Sequence, residues 1–214
     1  LAKACPGSRF TALDISDVQI GYARRAAGEV TSLSVLKGDY HDLSRFADAS
    51  IDLAFIVEAL CYSQRKEAVF REVARILKPG GQFLVYDGYG EPPIAARSSD
   101  EARAARLLER GMAVDHFETF EDVRDAAESA GLDLAADQDF SAAILPTCDR
   151  FARRARRFLR HRLIAWIALR AFPPAFTNNV VVGLLFPILM RRRIFTYRAS
   201  LFRKPSVKED RTRS

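Results

Sequence analysis

The chain has 214 residues, 49% of them apolar, enough to bury one substantial core in a single domain with an embellishment. Its three cysteines, Cys5, Cys61 and Cys148, are odd in number, far apart and without metal-ligand spacing, which argues against a secreted disulfide scaffold and makes the cytoplasm the expected compartment. Charge is lopsided: residues 1–149 carry 16 Lys or Arg against 25 Asp or Glu and residues 150–214 carry 17 against 2, so balances of −9 and +15 make up the net +6. The basic third is expected to face an anionic partner, with a solvated charged face as the plainer alternative.

The opening run Leu1 to Gly7 has the pattern of a last helical turn before a Pro-Gly stop, and with no initiator Met the natural protein is expected to start earlier. Arg9 to Asp14 is a short β-type run ending in a carboxylate, followed by a helix from about Asp17 to Ala27. Leu33–Lys37 is a second expected strand, and Ile51–Val57 a third, apolar enough to predict burial on both faces. A helix follows from about Gln64 to Leu77, with Val69, Val73, Ile76 and Leu77 on one stripe and Lys78-Pro79-Gly80-Gly81 as its stop. Gln82–Tyr86 is the next strand, Gly88–Ser99 a loop and Asp100–Arg110 a helix. Thr119 with Asp122 forms a capping-box pattern for a helix ending at Gly131; Leu132–Phe140 and Phe195–Phe202 are the last strands. Alternating strands and helices predict an α/β fold with a doubly wound, Rossmann-like sheet.

In such sheets ligands sit at the carboxyl ends of the strands. Asp14 ends the first strand here, where a carboxylate can accept hydrogen bonds from a ribose diol, and Ile15 could cover an adenine face. Asp39, in Gly38-Asp39-Tyr40, could accept from an adenine amino group while the neighbouring Tyr40 backbone meets a ring nitrogen. Helix capping by Asp14 and an Asx turn at Asp39 are the structural alternatives. Val57 to Tyr62 follows the third strand, where a cofactor's reactive end and its acceptor would meet.

Leu13-Asp14-Ile15-Ser16, then Gly38-Asp39, the apolar strand from Asp52 and Leu77-Lys78-Pro79-Gly80-Gly81 occur in an order similar to the small-molecule branch of class I S-adenosylmethionine-dependent methyltransferases, over roughly residues 1–90. The resemblance implies S-adenosylmethionine as cofactor, with Asp14 on the ribose hydroxyls, Asp39 on the adenine amino group, and Val57 and Glu58 on the pocket floor. It further implies that the first strand and glycine-rich loop lie upstream of Leu1. Relatives often place His where Tyr62 stands, which leaves Tyr62 a positioning hydroxyl and makes Glu58 and Tyr62 the candidate catalytic pair. His41 and His116 are expected to be surface or loop residues, with His41 close enough to Asp39 in sequence to lie near the cofactor; His161 is expected to belong to the arginine-rich face, and Cys61 to be a small apolar group rather than a nucleophile.

More than fifty residues separate the last two strands, too many for an unstructured loop. Phe151, Ala155, Phe158, Leu159, Leu163 and Trp166 recur at helical spacing among arginines, predicting one basic amphipathic helix over Arg150–Leu169. The apolar run Val180–Met190 is shorter than the ~20 residues a bilayer span needs. The domain plan is therefore a methyltransferase body at 1–140 and 195–205, a helical cap at 141–194 and a disordered tail at 206–214. The cap covers the pocket or, through residues 150–193, docks on an anionic membrane; nucleic acid is disfavoured because no recognition module is visible. The leading expectation is methyl transfer to a hydrophobic small molecule or lipid, by a cytoplasmic enzyme peripheral at the membrane. A non-catalytic membrane protein on a degraded methyltransferase fold and a nicotinamide-dependent dehydrogenase are the alternatives.

Overall fold

A computed structural model describes residues 2–5, 7–28, 30–91 and 98–206. Strand β1 (Phe10–Asp14) leads into helix α1 (Asp17–Ala27) and strand β2 (Leu33–Lys37), and β1 and β2 pair in parallel from Phe10 beside Leu33 to Asp14 beside Lys37. Ser16 caps α1 by accepting from the Gln19 N–H, and Gly28 ends it at a φ of 55°. A second sheet has the order β3-β4-β6-β5. It comprises β3 (Ile51–Val57), β4 (Leu77–Gly90), β5 (Asp133–Asp139) and β6 (Phe195–Arg203). β3 and β4 run parallel, while β6 is antiparallel to both β4 and β5.

Between β3 and β4 lie a 3-10 turn (Leu60–Tyr62) and helix α2 (Lys66–Ile76), whose Val69, Phe70, Val73 and Ile76 are buried. Phe70 meets Phe83 and Phe202 edge-on at 5.8 and 5.6 Å and anchors the main core. Helices α3 (Ser99–Met112) and α4 (Phe120–Ser129) link β4 to β5. The Thr119–Asp122 capping box is formed: Thr119 Oγ1 accepts from the Asp122 N–H and the Asp122 carboxylate accepts from the Thr119 N–H. Before β6 the chain builds the cap from α5 (Ser141–Arg160), α6 (Arg162–Ala171) and α7 (Pro174–Arg191).

Five expectations are corrected. Residues 2–4 form a turn rather than a helical one. Lys78-Pro79-Gly80-Gly81 does not itself stop the helix; α2 ends at Ile76, and the four residues belong to β4, because Leu77 already pairs with Ile51. Lys204 Nζ donates to the Ala74 and Leu77 carbonyls, a cation at the negative end of α2. β4 also runs on to Gly90, so the expected loop at 88–99 starts as strand; its residues 92–97 and tail residues 207–214 lie outside the described residues. β3 is not buried on both faces: Leu53, Phe55 and Val57 are about half exposed, since β3 is an edge strand and the β1–β2 pair forms no ladder with it. The single helix expected over 150–169 breaks at His161, where ψ is 71°.

α5 and α7 pair as an antiparallel hairpin. Cys148 lies 3.8 Å from Met190 (sulfur to sulfur), Arg191 bonds Asp149, and Phe158 stacks edge-on with Phe176 at 5.4 Å. The root of α5 is tied to the sheet where Tyr197 N–H donates to Ser141 Oγ, and α6 forms the far end.

Candidate active site

Parallel pairing brings Asp14 and Gly38 to one end of the first sheet, with the Gly38 N–H donating to the Asp14 carbonyl at 3.1 Å. Asp14 is half-buried; its Oδ1 accepts from the Ser16 N–H at 2.7 Å, and its other oxygen has no hydrogen bond among the described residues. Asp39 is exposed and its Oδ1 accepts twice, from the His41 N–H at 2.9 Å and from Nδ1 of the His41 ring at 2.7 Å. The backbone donor at His41 is the main reason its carboxyl pKa lies below the ordinary carboxylate range. Both carboxylates thus serve a local turn and still present a second oxygen, so the structural and ligand-binding readings coexist. A methyl at Gly38 would press on the Leu13 side chain, so the turn between the two aspartates suits glycine. Each carboxylate can therefore still accept a hydrogen bond from the hydroxyl or amino group of a ligand.

Ile15 is strongly exposed and Tyr40 half-buried, with its hydroxyl donating to the Ala59 carbonyl at 3.2 Å. Burial, reinforced by the Asp39 charge, pushes the Tyr40 phenol up to about 12, so it stays a neutral hydroxyl clasping the loop after β3. Val57 ends β3, and Glu58 follows with a φ of +50°, a conformation rare outside glycine. Its N–H donates to the Tyr86 carbonyl at 2.8 Å, which holds the carboxylate at the strand end. Tyr62 is half exposed, and burial is the first cause raising its phenol pKa.

Three participants escaped sequence reasoning. Tyr197 of β6 donates its hydroxyl to Glu58 Oε1 at 3.2 Å across 139 residues of sequence. Burial, with Glu58 adjoining, raises the Tyr197 phenol well above its usual range, so it acts as a donor. Ser63 receives the other His41 ring nitrogen at 2.8 Å, making an Asp39–His41–Ser63 relay; Ser63 is buried, and the relay holds Asp39 in place. The spacing of Asp39 and His41 was visible in sequence, but its link to Ser63 was not. Asp87, buried in β4, accepts from the N–H groups of Cys61 at 3.0 Å and Gly88 at 2.8 Å. Desolvation raises its pKa. Burial and the neighbouring Asp87 charge also drive the Cys61 thiol far above its ordinary value, which leaves it no thiolate with which to attack. His116 is exposed and His161 marks the α5–α6 break. Among the described residues no cluster of His, Cys, Asp or Glu could hold a metal.

This arrangement resembles the fold of the class I S-adenosylmethionine-dependent methyltransferases: parallel strands with carboxylates at their carboxyl ends, and an antiparallel β6 beside β4. A family model described as a methyltransferase domain matches residues 1–85. The chain is 29% identical over 140 residues to sterol methyltransferase-like 1 of Botryococcus braunii and 30% identical over 136 to the sterol 24-C-methyltransferase of Eremothecium gossypii. Those matches cover 64% and 62% of this chain but 36% of each relative, so the chain spans little more than a third of their length. Among solved structures, the geranyl diphosphate C-methyltransferase of Streptomyces coelicolor superimposes with a TM-score of 0.71 at 17% identity, over 94% of this chain and 65% of that one. A cyclopropane synthase of Mycobacterium tuberculosis gives 0.71 at 16% identity, over 92% and 70%. These likenesses establish the fold.

Proposed function

We propose that the protein transfers a methyl group from S-adenosylmethionine to a hydrophobic small molecule or lipid. The observation that carries this reading is that Asp14, Asp39 and Glu58 each follow or end a strand, with the loop after β2 bonded to the loop after β3 through Tyr40–Ala59 and His41–Ser63 and with Tyr197 holding Glu58 at the root of the cap. The cofactor supplies a sulfonium-activated methyl group; the protein aligns the acceptor for in-line displacement. Asp14 binds the ribose, Asp39, steadied by His41, binds the adenine amino group, and Ile15 and Val57 supply apolar contact. Glu58, held by Tyr197 and the strained turn, is placed to take the proton that the acceptor releases. Tyr62 positions the acceptor.

Matches to sterol methyltransferases support an apolar acceptor, as does the cap with its apolar helix α7. The same reading places the enzyme in the cytoplasm and, through residues 150–193, at an anionic membrane surface where apolar acceptors dissolve. The test is calorimetric titration of S-adenosylhomocysteine into the full natural chain beside Asp14→Ala. Binding weakened about tenfold or more by the substitution, equivalent to about 1.4 kcal/mol, is expected; a well-folded protein that ignores the ligand sinks the methyltransferase reading.

A further inference from the structure

Helix α6 is built the wrong way round for a packed cap. Its buried residues are Ala165 and Ala168, while Leu163, Ile164, Trp166 and Ile167 are 70%, 61%, 55% and 51% exposed. Phe172, just past its end, is exposed as well. Large apolar side chains on a packed helix are usually turned inward; a contiguous exposed patch of them marks an interaction surface. The patch lies at the far end of the α5–α7 hairpin. Side-chain pairs along that hairpin run from Cys148 and Met190 to Phe158 and Phe176, and α5, at 20 residues, is about 30 Å long.

Charge states what would cover it. Residues 150–171 carry eight arginines, Arg150, Arg153, Arg154, Arg156, Arg157, Arg160, Arg162 and Arg170, and no Asp or Glu. All eight are exposed, and none has a carboxylate partner among the described residues. Arg170 lies over the Trp166 ring at 4.2 Å, at the boundary of the apolar face. An apolar ridge flanked by unpaired cations matches an interface of acyl chains beneath anionic headgroups. Helix α7 is long and apolar enough by composition to cross a membrane, but its 18 residues span about 27 Å. It also packs along α5 and α3: a methyl at Gly111 of α3 would run into Val182.

We propose that α6 is an in-plane anchor that inserts Leu163, Ile164, Trp166 and Ile167 into an anionic phospholipid surface, with the α5 arginines on the headgroups and α7 remaining in the protein. This rests on the membrane-surface reading above and specifies the element and lipid; it does not depend on methyl transfer.

Trp166 is the chain's one tryptophan, so its fluorescence reports on this helix directly. The full natural chain, or its Trp166-only version if further tryptophans are present, is mixed with phosphatidylcholine vesicles with or without 30% phosphatidylglycerol (about this fraction suffices for a strongly negative surface). A blue shift with the anionic vesicles, loss of that shift at high salt and quenching by lipids brominated on the acyl chain are expected. Leu163→Glu with Ile167→Glu should weaken vesicle binding more than tenfold while leaving S-adenosylhomocysteine affinity unchanged. Arg156→Glu with Arg157→Glu should weaken anionic binding alone. No shift with anionic vesicles, equal binding to neutral ones, unaltered binding by the glutamate variants, or a Trp166 already shielded by self-association without lipid would each overturn the proposal. Stronger competition by duplex DNA than by phosphatidylglycerol would overturn it in favour of nucleic acid. Because cofactor affinity is read separately, failure of the vesicle assay and failure of the methyltransferase reading appear as different results.

Discussion

Glu58 and Tyr197 show how a site is assembled from residues that sequence proximity cannot join. The carboxylate was readable because it follows an apolar strand. Tyr197 was not, since its contact arises from antiparallel pairing of β6 with β4, which sets it opposite Gly88. If Glu58 takes the acceptor proton and Tyr197 only orients it, Glu58→Gln should lower kcat by about 10²-fold or more. Tyr197→Phe should lower it less, with cofactor affinity unchanged in both; single-turnover methyl transfer measures the difference, and an unimpaired Glu58→Gln enzyme removes Glu58 from the chemistry. Asp87 offers a second residue-scale test. Its native pKa is raised above 3.8 by burial, so the folded state binds the proton more tightly than the unfolded state does. The contribution of Asp87 to stability should therefore rise as pH falls through that raised pKa and be complete near 3.8, against the opposite contribution of carboxylates such as Asp39 whose pKa is lowered. Urea unfolding of the protein and of Asp87→Asn at several pH values should show the difference between them shifting in favour of the unsubstituted protein as pH falls; a difference that does not change with pH removes Asp87 as a titrating group.

Elements were legible where a single periodicity or cap determined them. The Thr119–Asp122 box fixed one helix start, and Thr119→Ala should cost about 1 kcal/mol in urea unfolding, because the Asp122 N–H loses its acceptor. Element ends decided by long-range pairing were harder. Gly80, Gly81, Gly88 and Gly90 are typical of turns, yet all four lie in β4. Gly88 is required by close approach: a methyl there would overlap the Phe195 ring, which stacks on Phe117 and Phe186 at 4.7 and 5.0 Å. Gly88→Ala should destabilise by about 1–3 kcal/mol through forced repacking, and recovery in a Gly88→Ala, Phe195→Leu double variant would locate the strain in that ring. The break at His161 was likewise invisible, since the apolar spacing continues across it while the backbone does not.

At the scale of the molecule, the described strands form two sheets that no ladder connects. β1 pairs with β2 alone, and β3 with β4 alone, so each has one open edge, and β3 turns half-exposed Leu53, Phe55 and Val57 outward. Leu13 and Tyr40 still pack against the main core, and the Tyr40–Ala59 and His41–Ser63 hydrogen bonds cross from the β2 side to the loop after β3. A two-stranded unit has little stability of its own, whereas the β4–β6 ladder pairs nine residues at the centre of its sheet. Asp14 and Asp39 stand on the weaker unit and Glu58 on the stronger one. The 214-residue chain by itself should therefore hold its three candidate site carboxylates in loose register, unfold in steps and bind S-adenosylmethionine weakly. Native-state hydrogen exchange should find the amides of Thr11–Leu13 and Ser34–Leu36 far less protected than those of Phe83–Val85, with cofactor raising protection mainly in the former. A monomer that unfolds in one cooperative transition, protects both sheets equally and binds S-adenosylmethionine with a micromolar Kd would show that the side-chain bridge through Tyr40 and His41 couples the sheets as firmly as a ladder would.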